Sequence, residues 1–262
     1  MLMLTHTWIL NEFLGSTVNE DNLDVFAYNV SPDILCIHEI ITSEMTHGVT
    51  RRLSVPPQYS KASYVYFHLL IDDIAHHGKI RDAPITRFNP DSDGYTYVKG
   101  RQLIQPIRNL YESLGKNISY GEAAYQAHMI IEMAFDLALY REQEDENLIS
   151  LFCNAISYAE NQKMTEFSNT LSWLYGIDKN IIIEAMKRGV RSCRPERMKK
   201  LMNIEDRVNL YVKKFGLGIE DNRTALGVRN IMARGMELVC DYRNFLDPAI
   251  KSVRETGLFE CL

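Results

Sequence analysis

Apolar residues recur every three or four positions along most of the chain, and no sustained two-residue alternation of a half-buried strand stands out. The pattern predicts an all-α fold. Helices are expected at about 6–15, 36–46, 60–77, 101–115, 120–142, 146–158, 161–175, 179–190, 195–214 and 222–246. Local signals mark some ends: Ser119 followed by Glu122 is a capping box, and Gly78 stands where a helix C-terminus favours glycine. The segment "DAPITRFNPDSDGYTYVKG", 82–100, mixes prolines and glycines without helical period, which predicts an irregular excursion or lid. "SVPPQYS", 54–60, predicts a shorter break. Nothing resembling a repeat or linker divides the chain, so one helical domain is expected over 1–262, in which residues 141–262 complete a bundle begun by 1–140.

One helix breaks its own apolar pattern. "YVYFHLLIDDIAHHGKI", 64–80, sets three histidines and two aspartates in sequence that otherwise reads as core. Burying such groups is costly unless an ion pair, a hydrogen-bond network or a metal compensates. His68 and Asp72 are four apart and share a helix face, and His76 continues the stripe. The spacing returns at His128 and Glu132, with Asp136 next on that face. Two H-x-x-x-[DE] pairs on two amphipathic helices suit a metal held between facing helices. Imidazole and carboxylate donors favour zinc, with manganese or iron as alternatives. A single such pair is ordinarily a surface hydrogen bond, whereas two in apolar sequence leave several buried charges to account for. All seven histidines, at 6, 38, 47, 68, 76, 77 and 128, precede position 129, which independent scatter would produce about once in a hundred.

Composition narrows the setting. With 46% hydrophobic residues and a formal net charge of −5, the chain reads as a soluble globular protein, and the charge lends no support to a nucleic-acid partner. Five scattered cysteines without a C-x-x-C pair read as reduced packing residues. The N-terminal "MLMLTHTWILNEFLGS" lacks a basic flank, and no run approaches the ~18 apolar residues of a membrane span, so a cytoplasmic location without a transmembrane segment is expected. The sequence does not fix an oligomeric state.

Taken in order, His6 in "LTHTW", Asp33 in "SPDIL", His47 in "MTHGV", His68 and Asp72 in "HLLID", His76 or His77 in "AHHG", and His128 and Glu132 in "HMIIE" resemble the zinc-dependent phospholipase C family. That family is related to the zinc-dependent single-strand nucleases. The resemblance covers residues 1 to about 140 and rests on the order of eight positions, including the fourteen-residue step from Asp33 to His47. It implies a multi-helix fold of phospholipase C/nuclease-like type, two or three zinc ions, and hydrolysis of a phosphodiester by metal-activated water. By the same resemblance Asp72 bridges two metals, with His47 and His68 completing one site. His76 or His77 joins His128 and Glu132 at a second, and His6 joins Asp72 at a third. Asp33 is either a ligand or the base that orients water. His76 fits the helical stripe, and His77 fits if the helix ends early at Gly78. The implied partner is a small phosphate-ester substrate or a lipid headgroup. The alternative function is a helical binding module with a structural metal, since structural sites are closed and catalytic ones keep room for water.

Other residues have plainer expectations. His38 reads as structural or as support for a ligand, and Asp73 either orients an imidazole or faces solvent. Asp136 is a further candidate for supporting the ligands. Arg188, Arg191, Arg194 and Arg197 are spaced by three and could present a phosphate-binding strip, with a solvated face favoured instead. Tyr64, Tyr66, Phe67, Tyr120, Tyr125 and Phe135 are expected around the ligands, mainly as core. No His-Asp dipeptide occurs, which disfavours an HD-type phosphohydrolase.

Overall fold

The computed structural model describes residues 2–15, 22–52, 54–81, 89–143, 147–218 and 222–258. In chain order these form α1 (Met3–Leu14), α2 (Val25–Ile34), α3 (Ser43–His47), α4 (Ala62–His77), α5 (Tyr95–Ser113), α6 (Tyr120–Gln143), α7 (Asn147–Gln162), α8 (Met164–Tyr175), α9 (Lys179–Ser192), α10 (Pro195–Leu201), α11 (Ile204–Lys214), α12 (Asn222–Leu238) and α13 (Arg243–Arg254). The described residues contain no strand, so the fold is all-α. Buried apolar residues from Leu4 to Leu258 form one continuous cluster, to which both portions of the chain contribute.

α4 is the central element. Apart from Tyr64 and the terminal His76 and His77, all its residues are buried, so its polar groups cannot turn to water and must find partners inside. Gly78 ends it in the left-handed conformation at φ 74°, its N–H bonded to the Ile74 carbonyl at 2.8 Å. α6 begins with the expected capping box: the Glu122 N–H donates to Ser119 Oγ at 3.2 Å, and Glu122 Oε2 accepts from the Ser119 N–H at 3.0 Å.

Several expected elements differ. The helix expected at 36–46 is a 3-10 turn, Leu35–Ile37, followed after an extended His38 by the separate α3, whose N-cap Thr42 accepts from the Met45 N–H. The helix in this region is instead α2. Pro32 lies inside it and cannot supply the N–H owed to the Tyr28 carbonyl, but the Ser31 hydroxyl donates there at 2.8 Å. α5 begins at Tyr95, because Thr96, Tyr97 and Gly100 are buried against α4 and α6; residues 95–100 therefore belong to a helix and not to a lid. Residues 82–88 of that segment lie outside the described residues, as does Cys261. The expected 195–214 helix breaks where Asn203 caps α11 by accepting from the Glu205 N–H, and 222–246 divides into α12 and α13. The break 54–60 contains a short 3-10 turn at Pro57–Tyr59. No described helix is long and apolar enough to cross a membrane.

Candidate metal centre

Helices α1, α2, α3 and α4 bring five of the candidate residues to one place, with Asp72 among the histidines. Its Oδ1 lies 3.2 Å from Nε2 of His6, and its Oδ2 lies 3.6 Å from Nε2 of His47 and 3.3 Å from Nε2 of His68. Asp33 Oδ1 stands 3.5 Å from the same His47 nitrogen. The His6 and His68 rings stack with centroids 3.6 Å apart. Ligand atoms of His6, His68 and Asp72 lie within 4.8 Å of one another, as do those of Asp33, His47 and His68, so two triads share His68.

The surrounding chain fixes these positions. The His6 carbonyl accepts from Asn29 Nδ2 at 2.8 Å, tying α1 to α2. Asp136 accepts from the Thr5 N–H at 3.0 Å and the Thr5 hydroxyl at 2.7 Å, a carboxylate on the first turn of α1 where the helix dipole favours one. Its other oxygen accepts from Arg207 at 3.0 Å. Asp136 thus holds the helix that carries His6. His47 Nδ1 lies 3.1 Å from the Ser43 carbonyl, an anchor that points Nε2 at the carboxylates of Asp33 and Asp72. Arg51 donates to the carbonyls of His47 and Val49, each at 2.8 Å, and forks onto Asp73 at 2.7 and 3.1 Å. Asp73 therefore braces the turn after His47 and does not face solvent.

α4 and α6 carry the other group. His76 Nε2 is 2.7 Å from Glu132 Oε1, and His128 Nε2 is 4.0 Å from the same oxygen. The three side chains meet the same 4.8 Å condition as the other triads. Tyr97 stacks on His128 at 4.9 Å between centroids. Gly100 lets α5 pack closely on α6 there, since a Cβ would sit 3.2 Å from the His128 backbone nitrogen. A Cβ at Gly94 would collide with the His76 backbone carbonyl, which Ser92 Oγ takes as its acceptor. His77 points away, with Nδ1 3.3 Å from Ser92 Oγ. Of the two histidines left open by the sequence, His76 is the one that joins the triad.

Charge follows from burial. It drives His6 down to about 3, reinforced by His68, and His128 down to about 4, so both rings are neutral at neutral pH. Burial opposes ionisation of Asp33, Asp72 and Glu132, yet all three lie below ordinary carboxylate values. The His47 hydrogen bond holds Asp33 down, His6 and His68 contribute at Asp72, and His76 contributes at Glu132. Against the lowering effect of burial, Asp33 raises His47. At His6 and His128, neutral imidazole beside ionised carboxylate is the protonation state that a divalent cation requires. His68 is fully buried, yet neither ring nitrogen has a hydrogen bond, and His6 Nδ1 and Asp33 Oδ2 also lack one. Leaving such atoms unsatisfied costs roughly 1–3 kcal/mol each. A cation taken up by His68 and its neighbours fits this donor set in both geometry and chemistry.

Both groups open on one cleft of 460 Å³, lined among others by Asp33, His47, Asp72, His76, His128 and Glu132. His38 lies outside it, buried with Nε2 3.6 Å from Glu184, and is structural. The arginines spaced by three form no strip, because α9 ends before Arg194 and a new helix begins at Pro195; Arg188 pairs with Glu184 and Glu39. Tyr120 and Tyr125 are exposed and not core, and Tyr125 lines the cleft. The braces Arg51–Asp73 and Asp136–Arg207 went unread in the sequence, where the only sign of the first was an arginine four residues after His47. Comparison with known protein families, curated proteins and solved structures finds no match for this chain.

Proposed function

We propose that the chain is a metal-dependent phosphoesterase that hydrolyses a phosphodiester. The observation that carries this reading is the meeting of eight ordered residues, His6, Asp33, His47, His68, Asp72, His76, His128 and Glu132, in two groups, six of them lining one cleft with His6 and His68 buried behind it. The cluster around Asp72 would hold one or two ions and the His76 triad another, with zinc best suited to the donors and manganese or iron as alternatives. Bound divalent cations supply Lewis acidity toward water and toward the phosphoryl oxygens.

The protein's own part starts at Asp33. Its side chain is partly exposed, at 23%, held ionised, and lines the cleft beside His47, where the carboxylate would orient a water and receive its proton. The water oxygen forms the new bond to phosphorus, the P–O ester bond breaks, and the departing alkoxide is protonated from solvent. His47 keeps Asp33 ionised and aimed. Tyr125 walls the His128 side of the cleft, and Tyr97 backs the His128 ring from the interior.

Asp33→Asn tests the assignment. Hydrolysis of bis(p-nitrophenyl) phosphate by the zinc-loaded protein should fall by about 10²–10⁴-fold, while metal content measured on the same sample is largely kept. A variant that loses metal and rate together would make Asp33 a ligand. A zinc-loaded wild type inert toward phosphodiesters would favour the binding module with a structural metal.

A further inference from the structure

The cleft does not stop at the histidines. Leu2, Met3, Met129 and Lys214 line both the cleft and a second chamber of 370 Å³ bounded by α1, α6, α10 and α11. Met3, Met129, Met133 and Met198 wall this chamber, four of the eleven methionines in the sequence. Met133 is 2% exposed and Met198 4%, so the chamber reaches into the interior and is no flat surface patch. Of the polar groups in its lining, Asp136 and Arg207 engage each other as described, and Ser192, Arg197 and Lys214 complete it. Lys214 stands at the junction. Its ammonium rests 3.8 Å from Met129 Sδ, and among the described residues no carboxylate pairs with it.

We propose that this chamber receives one linear alkyl group of a soluble phosphate ester whose phosphate lies in the adjoining cleft beside Lys214. The proposal rests on the phosphoesterase reading and adds the substrate class. An apolar chamber with a few placed polar groups is the usual form of a small-molecule site. Unbranched, polarisable methionines conform to a flexible chain. The described lining holds no aromatic ring, so an aryl group or nucleobase would find nothing to stack on. A cation where the two spaces join complements the charge of a phosphate whose alkyl group points into the chamber. C-terminal residues thereby take a part in substrate selection.

The test is calorimetric titration of the zinc-loaded protein with methyl-, butyl- and octylphosphonate, all below the micelle concentration. Phosphonates are not hydrolysed, so the result is separate from whether the protein is an esterase. Affinity should rise along the series, by roughly tenfold or more from methyl to octyl, because each buried methylene contributes. Leu210→Gln, at a half-buried lining position, should flatten the series, whereas Lys214→Gln should weaken all three by a similar factor. The wild-type series stands as a test even if Leu210→Gln fails to fold. Equal affinities along it, phenylphosphonate binding as tightly as octylphosphonate, binding only above the micelle concentration, or an unflattened series in a folded Leu210→Gln would each overturn the proposal. A rising series without hydrolysis of any ester would spare the chamber and sink the esterase reading; hydrolysis with a flat series would do the reverse.

Discussion

The cluster around Asp72 and the triad at His76 use the same kinds of side chain in opposite ways. In the triad, His76 and Glu132 satisfy each other at 2.7 Å. In the cluster the imidazole–carboxylate contacts run from 3.2 to 3.6 Å, and fully buried His68 has no hydrogen bond at either nitrogen. Donors packed out of water yet held apart are not a finished ion-pair network. On the proposed reading, the cluster would depend on a cation more than the triad would.

The strongest way to break this contrast is Asp72→Asn. Losing the carboxylate that faces three histidines should empty the cluster of metal while the triad keeps its share. Phosphodiester hydrolysis should then fall further than the about 10²–10⁴-fold expected for a lost general base. Glu132→Gln should do the converse, sparing the cluster's metal. Elemental analysis of both variants decides; full metal and an unchanged rate in Asp72→Asn would erase the distinction.

Acid should weaken both groups alike in metal-free protein. His6 and His128 have native values of about 3 and about 4, below the 6.5 of an unfolded histidine, so the unfolded state takes up protons first as pH falls. Their stabilising contribution is complete above pH 6.5 and is lost below it, on the order of 2 kcal/mol each by pH 5. Urea midpoints at pH 7.5 and pH 5 measure it. His6→Asn should remove part of the acid loss, and a midpoint that rises on acidification would contradict the neutral, buried assignment.

The smallest effect sharpens the boundary of the triad. His76→Gln should lower metal content, whereas His77→Gln should leave it within error of wild type, because His77 turns to Ser92. Metal loss in both would place His77 among the ligands.

How much of this could be read from the sequence depends on the element. α4 and α6 were legible with their candidate ligands, because a four-residue spacing within one helix fixes which side chains share a face. The 25–47 region was not. Pro32 argues against a helix until Ser31 is seen to take the Tyr28 carbonyl, and whether Asp33 and His47 meet depends on how α2 and α3 fold over α4. The alternative between His76 and His77 turned on a single helical residue before Gly78. Arg207 and Lys214 reach the site from α11, 71 and 85 residues after Asp136 and Met129 respectively, and no local period connects such partners.

The central claim, that these side chains are metal ligands, is tested most directly by the metal-to-protein ratio of the wild-type chain after zinc loading and removal of free ion. We expect at least two zinc ions per chain, released in two steps by a competing chelator, with the triad emptied before the cluster. Less than one ion per chain after zinc loading would contradict the claim.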